Sequence, residues 1–458
     1  MNRASTPRAR LTLAAGALLA GALAAPSQAA QHPGGHEPAA GSVLVFSKTA
    51  GYRHDSIADG IAAVRELGAE HGFTVDATEN AAAFTPKKLA RYDAVVFLST
   101  TGDVLDPRQQ AAFEEYIGDG GGYVGVHAAA DTEYDWEWYG GLAGAYFASH
   151  PAIQPATVRI EDRAHPATAH LGTDWERTDE WYNYRSDPRE QARILASLDE
   201  DSYTGGTMGE EHPLAWCQEY AGGRAFYTGA GHTRESYADP AFRAHLLGGI
   251  RYATGAVRAD CRPETGYTTL YEGTGDGPGT EEWRQAGPGS FEESADGTLT
   301  TRGGMGLLWY AARSYGSYSL KLDWRMASAD GDDNSGVFVG FPASDDPWSA
   351  VDRGYEIQID ATDATDADDR TTGAVYGFQS ADLAARDAAL NPPGEWNTYE
   401  IRVEGERLRV HLNGVLINDF TNTDPARSLT DGYVGLQNHG EGDEVAFRDV
   451  RIRASAPR

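Results

Sequence analysis

The sequence predicts two domains of different class, a doubly wound α/β sheet followed by an antiparallel β-sandwich. Three observations predict this. In the first half, short apolar runs alternate with segments of helical spacing. In the second half the hydrophobic period falls to two, with turn residues between the runs. Between the halves, residues 256–266 include Pro263 and keep neither period, so they read as a linker. A length of 458 residues suits two or three domains of ordinary size.

The elements of the first half follow in order. Val43-Leu44-Val45-Phe46 is apolar throughout, as a parallel strand buried on both faces must be. Asp55 and Ser56 are cap residues for a helix with Ile57, Ile61, Val64 and Leu67 inward, and Gly72 stops it. Phe73–Val75 and Ala94–Leu98 are further strands. Asp106-Pro107 opens a helix with Phe113, Tyr116 and Ile117 inward, and Gly120 to Gly122 end it. Tyr123–Val126 and Arg224–Thr228 complete the strands, and Asp239-Pro240 opens a helix carrying Phe242, Leu246 and Ile250. Ligands of such sheets sit beyond the carboxyl ends of the strands. His54, His127 and His232 lie there, each just past a different strand, with Asp131 close behind His127. They form a candidate shared pocket.

The second half alternates throughout. Tyr318, Leu320, Leu322, Trp324 and Met326 share one face of a strand, and Asp323 and Arg325 the other. Tyr399–Val403 and Leu408–Leu412 alternate likewise, and Asn413-Gly414 supplies the residues of a type I′ hairpin turn. Ala381–Ala389 is one short helix. In Tyr355–Asp360 the residues off the core are Glu356, Gln358 and Asp360, and in Tyr433–His439 they include Gln437 and His439. If these strands belong to one curved sheet, its solvated face gathers carboxylate, amide, imidazole and guanidinium groups, which suits a sugar.

The chain ends frame this reading. Arg3, Arg8 and Arg10 precede the apolar run Leu11–Ala25, and Ser27–Ala30 offers small-residue cleavage positions. Residues 1–30 are therefore expected to be a signal peptide, residues 31–42 an unstructured segment, and the protein secreted, free of the membrane after cleavage. Sequencing of exported material should start at Ala30 or Gln31; a start at Met1 would contradict this. Cys217 and Cys261 are the two cysteines, a candidate disulfide in an oxidising compartment. With 38 basic against 68 acidic residues, the net charge of −30 argues against a nucleic-acid partner or an anionic membrane surface.

Residues 43–255 resemble the ThuA-like (trehalose-utilisation) family, a branch of the glutamine-amidotransferase-like flavodoxin-like folds. The stretches that carry this are Phe46–Asp55, Gly125–Asp131, Asp179–Asn183, Gly209–Pro213 and Gly229–His232. The resemblance adds Glu180 to the pocket and implies a link to disaccharide metabolism. Amidotransferase relatives place a nucleophilic Cys on the strand-to-helix turn. His127 stands there instead, which excludes thiol chemistry. Residues 267–455 resemble the 3-keto-disaccharide hydrolase family, with its concanavalin-like jelly-roll sandwich. The matching stretches are Asn334–Phe338, Tyr355–Ile359, Thr372–Gly377, Pro392–Glu400, Leu412–Gly414 and Gly435–His439. The Asp-rich insert from Asp360 to Asp369 is longer than that pattern, and Asp330–Asn334 lacks the spacing of an EF-hand calcium loop.

This second resemblance implies cleavage of oxidised glycosides. A ketone at C3 acidifies the C2 hydrogen; a base removes it, the C1 substituent leaves, and water later adds back. Glu356 and His439 are the implied catalytic residues, with Arg325, Asn334, Gln358 and Gln437 as substrate contacts. The partner is then an oxidised di- or oligosaccharide, and a divalent metal is open in either domain. The competing reading is a carbohydrate-binding module joined to a ThuA-like domain. Each domain has its own period and enough residues for a core, so each is expected to fold alone when the chain is cut between Arg262 and Gly266.

Overall fold

The structure is a computed structural model that describes residues 41–273, 277–328, 331–360 and 367–455. The segment expected to be a signal peptide, the other residues before Gly41 and the middle of the Asp-rich insert lie outside the described residues. Among those described, no helix is long and apolar enough to cross a membrane.

The first domain is built on one nine-stranded sheet. Its strands run in the order Thr74–Thr78, Ser42–Phe46, Ala94–Leu98, Gly122–Val126, Gly223–Thr228, His212–Tyr220, Arg193–Leu198, Gln154–Ile160 and Asp174–Asp179. The first five are parallel, as the apolar runs predict. Helices Ile57–His71 and Pro240–Thr254 contribute to the core on one face. Helices Pro107–Gly118 and Glu137–Ala143 contribute to the core on the other. The last four strands are antiparallel, so the sheet is mixed rather than wholly parallel. Asp174–Asp179 hides every second residue, so it carries no continuous apolar run that would announce it.

Local chemistry explains the helix starts. Asp106 accepts from the backbone N–H groups of Arg108 and Gln109, and Gln109 answers with a bond from the Asp106 N–H. Asp239 accepts from Ala241 and Phe242. Ser56 departs from the expected capping role. Its hydroxyl donates to the Gly231 carbonyl at 3.4 Å, tying the first helix to the loop after Gly223–Thr228.

The second domain is an all-β jelly-roll sandwich. Its eight-stranded sheet contains Tyr318–Met326, Asn397–Glu404, Arg407–Leu412 and Val415–Thr421, with Val445–Ala454 beside the first. The facing sheet runs Trp283–Ala286, Gly306–Tyr310, Tyr433–Asn438, Ser335–Phe341 and Tyr355–Ile359. The core between them takes Leu320, Leu322, Trp324, Val337, Ile357, Ile401, Val410 and Leu436. The predicted hairpin turn is present. Asn413 and Gly414 both have positive φ, at 47° and 89°, and Leu412 pairs with Val415.

The segment joining the domains is no loose tether. Cys261 is bonded to Cys217 of the strand His212–Tyr220. The Glu264 carboxylate accepts from Lys321 Nζ at 2.9 Å, lies 3.2 Å from Arg193 Nη1 and is bonded to the Arg451 guanidinium. Arg193 belongs to the first domain, and Lys321 and Arg451 to the second. Removing the disulfide with a Cys217→Ala, Cys261→Ala variant frees a closed loop of 44 residues. Chain-entropy arguments put the cost at about 4 kcal/mol. A denaturant midpoint unchanged from that of the oxidised protein would contradict this.

Candidate functional site

Two polar sites lie in different domains. In the first domain, His127 follows Gly122–Val126 directly and has a φ of 50°, a strained conformation for a non-glycine residue. Its Nδ1–H donates to the Gly229 carbonyl at 2.8 Å, which turns Nε2 toward the pocket. Nε2 lies 3.0 Å from His232 Nδ1 and 3.4 Å from Glu180 Oε2. His232 Nδ1 lies 3.0 Å from the same Glu180 oxygen. His54 completes the group, and one ligand atom from each of the four residues lies within 4.8 Å of the others. The three imidazole rings stand 4.9 to 5.0 Å apart and nearly perpendicular to one another.

The surroundings hold these groups still. The Asp179 carboxylate accepts from the backbone N–H groups of Gly231 and His232, from the Ser236 hydroxyl and from Arg177, which fixes the loop carrying His232. The Tyr182 ring lies 4.2 Å from that of His127. Burial, with His127 and His232 beside it, pushes the His54 imidazole down to about 3. Burial pushes the Glu180 carboxyl up, but bonds from His127 and His232 outweigh it and hold it well below the usual range. For His232 the same contest ends the other way: burial lowers it, and Glu180 raises it further.

Of the pocket residues read from the sequence, His54, His127, Glu180 and His232 come together. Asp131 does not join them. Its carboxylate accepts from the Tyr134 hydroxyl at 2.5 Å, because the short helical turn His127–Asp131 carries it past the pocket. His150 went unread. Its Nδ1 lies 2.9 Å from Glu180 Oε1, and it follows a three-residue strand with no periodic signal. A second grouping, His165 with Cys217 and Cys261, has no thiolate to offer because both cysteines are bonded.

In the sandwich, the polar site lies on the outer face of the five-stranded sheet. Gly336 pairs with Gln358, and Phe338 with Glu356. A side chain at Gly336 would meet Glu356 Oε1 at 2.5 Å, so the glycine leaves the carboxyl its place. Gln358 Nε2 donates to Asn334 Oδ1 at 3.3 Å, and Asn334 Nδ2 to Asp360 at 2.8 Å. The Asn334 backbone N–H reaches Asp443 at 3.2 Å, and Asp443 takes the His439 Nδ1–H at 2.9 Å. The Oε1 atoms of Gln358 and Gln437 are buried and have no hydrogen-bond partner among the described residues. At the other end of this face, Trp309, Phe338 and Phe341 pack with Ala350 of the helix Trp348–Arg353.

Burial pushes the Glu356 carboxyl up to about 8, against a bond from Gln437 and with help from Asp360. The face expected to be solvated is thus largely closed: Glu356 is 8 % exposed and Gln358 1 %. His439 remains open.

Arg325 is not part of this site. Alternation placed it correctly off the core, but its strand belongs to the opposite sheet, and the outer faces of a sandwich point away from each other. Its guanidinium lies over the Trp396 ring at 4.7 Å.

The architecture defines a two-domain protein, an α/β sheet domain carrying an imidazole–carboxylate cluster and a β-sandwich carrying an amide-lined carboxyl. Residues 42–253 match the ThuA family, described as trehalose utilisation. Residues 266–453 match the 3-keto-disaccharide hydrolase family, described as a 3-keto-alpha-glucoside-1,2-lyase-like domain. The two matches follow one another along the chain, ThuA first and 3-keto-disaccharide hydrolase second.

Solved structures similar to parts of it include a ThuA-like protein from Bacteroides uniformis, at 23% identity and TM-score 0.42, covering 49% of this chain and 95% of that one. A protein from Parabacteroides distasonis titled a glycosyl hydrolase has 24% identity and TM-score 0.34, covering 41% and 99%. The carbohydrate-binding module CBM66 from Bacillus subtilis has 14% identity and TM-score 0.27, covering 42% and 96%. No curated protein matches the chain.

Proposed function

We propose that the protein is exported and that its sandwich domain cleaves 3-keto-glycosides by elimination, with Glu356 as the base. The observation that carries this is Glu356 itself: a carboxyl enclosed among amides, with its proton affinity raised into the neutral range. General-base catalysis works best when the group titrates near the working pH.

The steps balance on this chain's own residues. The Glu356 carboxylate takes the C2 proton, and the C2–H electron pair becomes the enolate conjugated with the C3 ketone. The unpartnered Oε1 atoms of Gln358 and Gln437 accept sugar hydroxyls, while the Gln358 Nε2 stays on Asn334 and Asp360 and the Gln437 amide on Glu356. The C1–O bond then breaks, and the leaving oxygen takes a proton from His439. The His439 Nδ1 is engaged by Asp443, which leaves Nε2 for this transfer. Later addition of water across C1 and C2 would complete a net hydrolysis. An ordinary glycosidase needs two carboxylates set across the bond, and this cluster has a different logic.

The test is incubation of the full chain with a 3-keto-glycoside and its unoxidised parent, followed by product analysis. Release of the aglycone from the keto sugar alone supports the reading. Binding of both sugars without turnover would make the sandwich a carbohydrate-binding module instead.

A further inference from the structure

We propose that the first domain holds one zinc-like divalent cation between His54 Nδ1, His127 Nε2, His232 Nδ1 and Glu180 Oε2. The donor geometry carries the inference. A tetrahedral zinc ion takes N and O ligands at about 2.0–2.2 Å, which sets neighbouring donors roughly 3.3 Å apart. The His127, His232 and Glu180 donor atoms are separated by 3.0, 3.0 and 3.4 Å. That spacing suits a common ion between them.

Three independent features agree. His54 Nδ1 is buried, belongs to a side chain only 5 % exposed, and has no hydrogen-bond partner among the described residues. A buried imidazole nitrogen without a partner costs free energy unless something else satisfies it. The His127 ring is fixed from behind, since its Nδ1–H is held by the Gly229 carbonyl and only the Nε2 lone pair faces inward. Ligating histidines are held in this way, by a backbone carbonyl or carboxylate on the far nitrogen. Glu180 is held similarly, with Oε2 toward the histidines and Oε1 engaged by His150. His150 is thus a positioning residue of the outer shell.

The donor set selects the ion. Three imidazoles and one carboxylate suit zinc or a neighbouring divalent transition metal, whereas magnesium and calcium require oxygen ligands. Tyr52 marks the mouth: its ring lies 4.9 Å from that of His54 and it is 65 % exposed.

The experiment is metal titration of the chelator-treated full chain with zinc, followed by calorimetry, and with cobalt, followed by visible absorption. One ion per chain and four-coordinate cobalt bands are expected. His127→Ala and His232→Ala should lower the affinity at least 100-fold. Outer-shell changes typically cost 10–100-fold, so His150→Ala should lower affinity by that amount while leaving stoichiometry and the cobalt bands in place. The proposal is overturned if the wild type takes up no zinc, or if binding is the same in His127→Ala, His232→Ala and His150→Ala. Circular dichroism of each variant separates ligand loss from unfolding, and should His127→Ala not fold, the His150→Ala and cobalt results decide alone.

Discussion

Glu356→Gln is expected to lower the rate of 3-keto-glycoside cleavage by about 10²–10⁴-fold, the usual loss for a general base. The wild-type rate should climb with pH through an inflection near 8, because Glu356 must be ionised to act and burial holds its carboxyl up at about 8. In Glu356→Gln that inflection should vanish. Stability moves the opposite way. A carboxyl raised above its unfolded value of about 4.3 contributes stability that is complete below that value and is lost as pH rises through 8. Glutamine imitates the protonated form, so the variant should melt close to the wild type near pH 5 and above it at pH 9. Gly336→Ala should lower the rate as well, since its methyl group needs the space of the carboxyl oxygen. A loss below tenfold in Glu356→Gln, or a retained inflection, would remove Glu356 from the reaction.

The largest expected effect on folding comes from Glu264→Ala. Glu264 is 6 % exposed at its side chain, and Lys321 3 %. Burial pushes the Glu264 carboxyl up, but Arg193, Arg451 and Lys321 together outweigh it and hold it well below the usual range. Removing one partner of a buried ion cluster leaves uncompensated charge, at a cost of about 3–5 kcal/mol. Lys321 and Arg193 keep Asp260 and Asp162 at 2.9 Å, whereas Arg451 keeps only the more distant Asp323 carboxylate, at 3.7 Å. The wild-type contribution is present above the unfolded carboxyl pKa of about 4.3 and fades as pH falls through the lower folded value. The stability gap between the two proteins should therefore narrow in acid. Equal denaturant midpoints at pH 7 would refute this account. A cut between Arg262 and Gly266 parts Glu264 from one domain or the other, so separated halves should each melt lower than the intact chain.

Much of this was legible in residue patterns, and the exceptions have physical causes. The inner parallel strands Ser42–Phe46, Ala94–Leu98 and Gly122–Val126 announced themselves because both faces are buried, whereas Asp174–Asp179 alternates and reads like any half-exposed segment. His54, His127 and His232 could be grouped because a parallel sheet delivers its strand ends to one rim. His150 could not, since its place depends on Phe147–Ser149 pairing with the distant Asn183–Tyr184. Arg325 shows the limit of alternation: a period of two assigns a residue to a face but does not tell which of two packed sheets owns the strand. The interdomain charges were hidden for the same reason. Asp323 reads as a residue off the core, yet in the structure it and Lys321 are almost fully buried, and Lys321 is bonded to Glu264.

The bond between Cys217 and Cys261 gives the molecule a particular load path. Tension applied through the second domain reaches Cys261 before it reaches the helix Pro240–Thr254. From there it passes covalently into His212–Tyr220, which has five strands on one side and three on the other. The helix Pro240–Thr254 and the strand Gly223–Thr228 lie inside the closed loop and are bypassed by this covalent path. A pulled chain should therefore yield elsewhere first, and the part of the first domain between the two cysteines should come apart only after the bond is reduced.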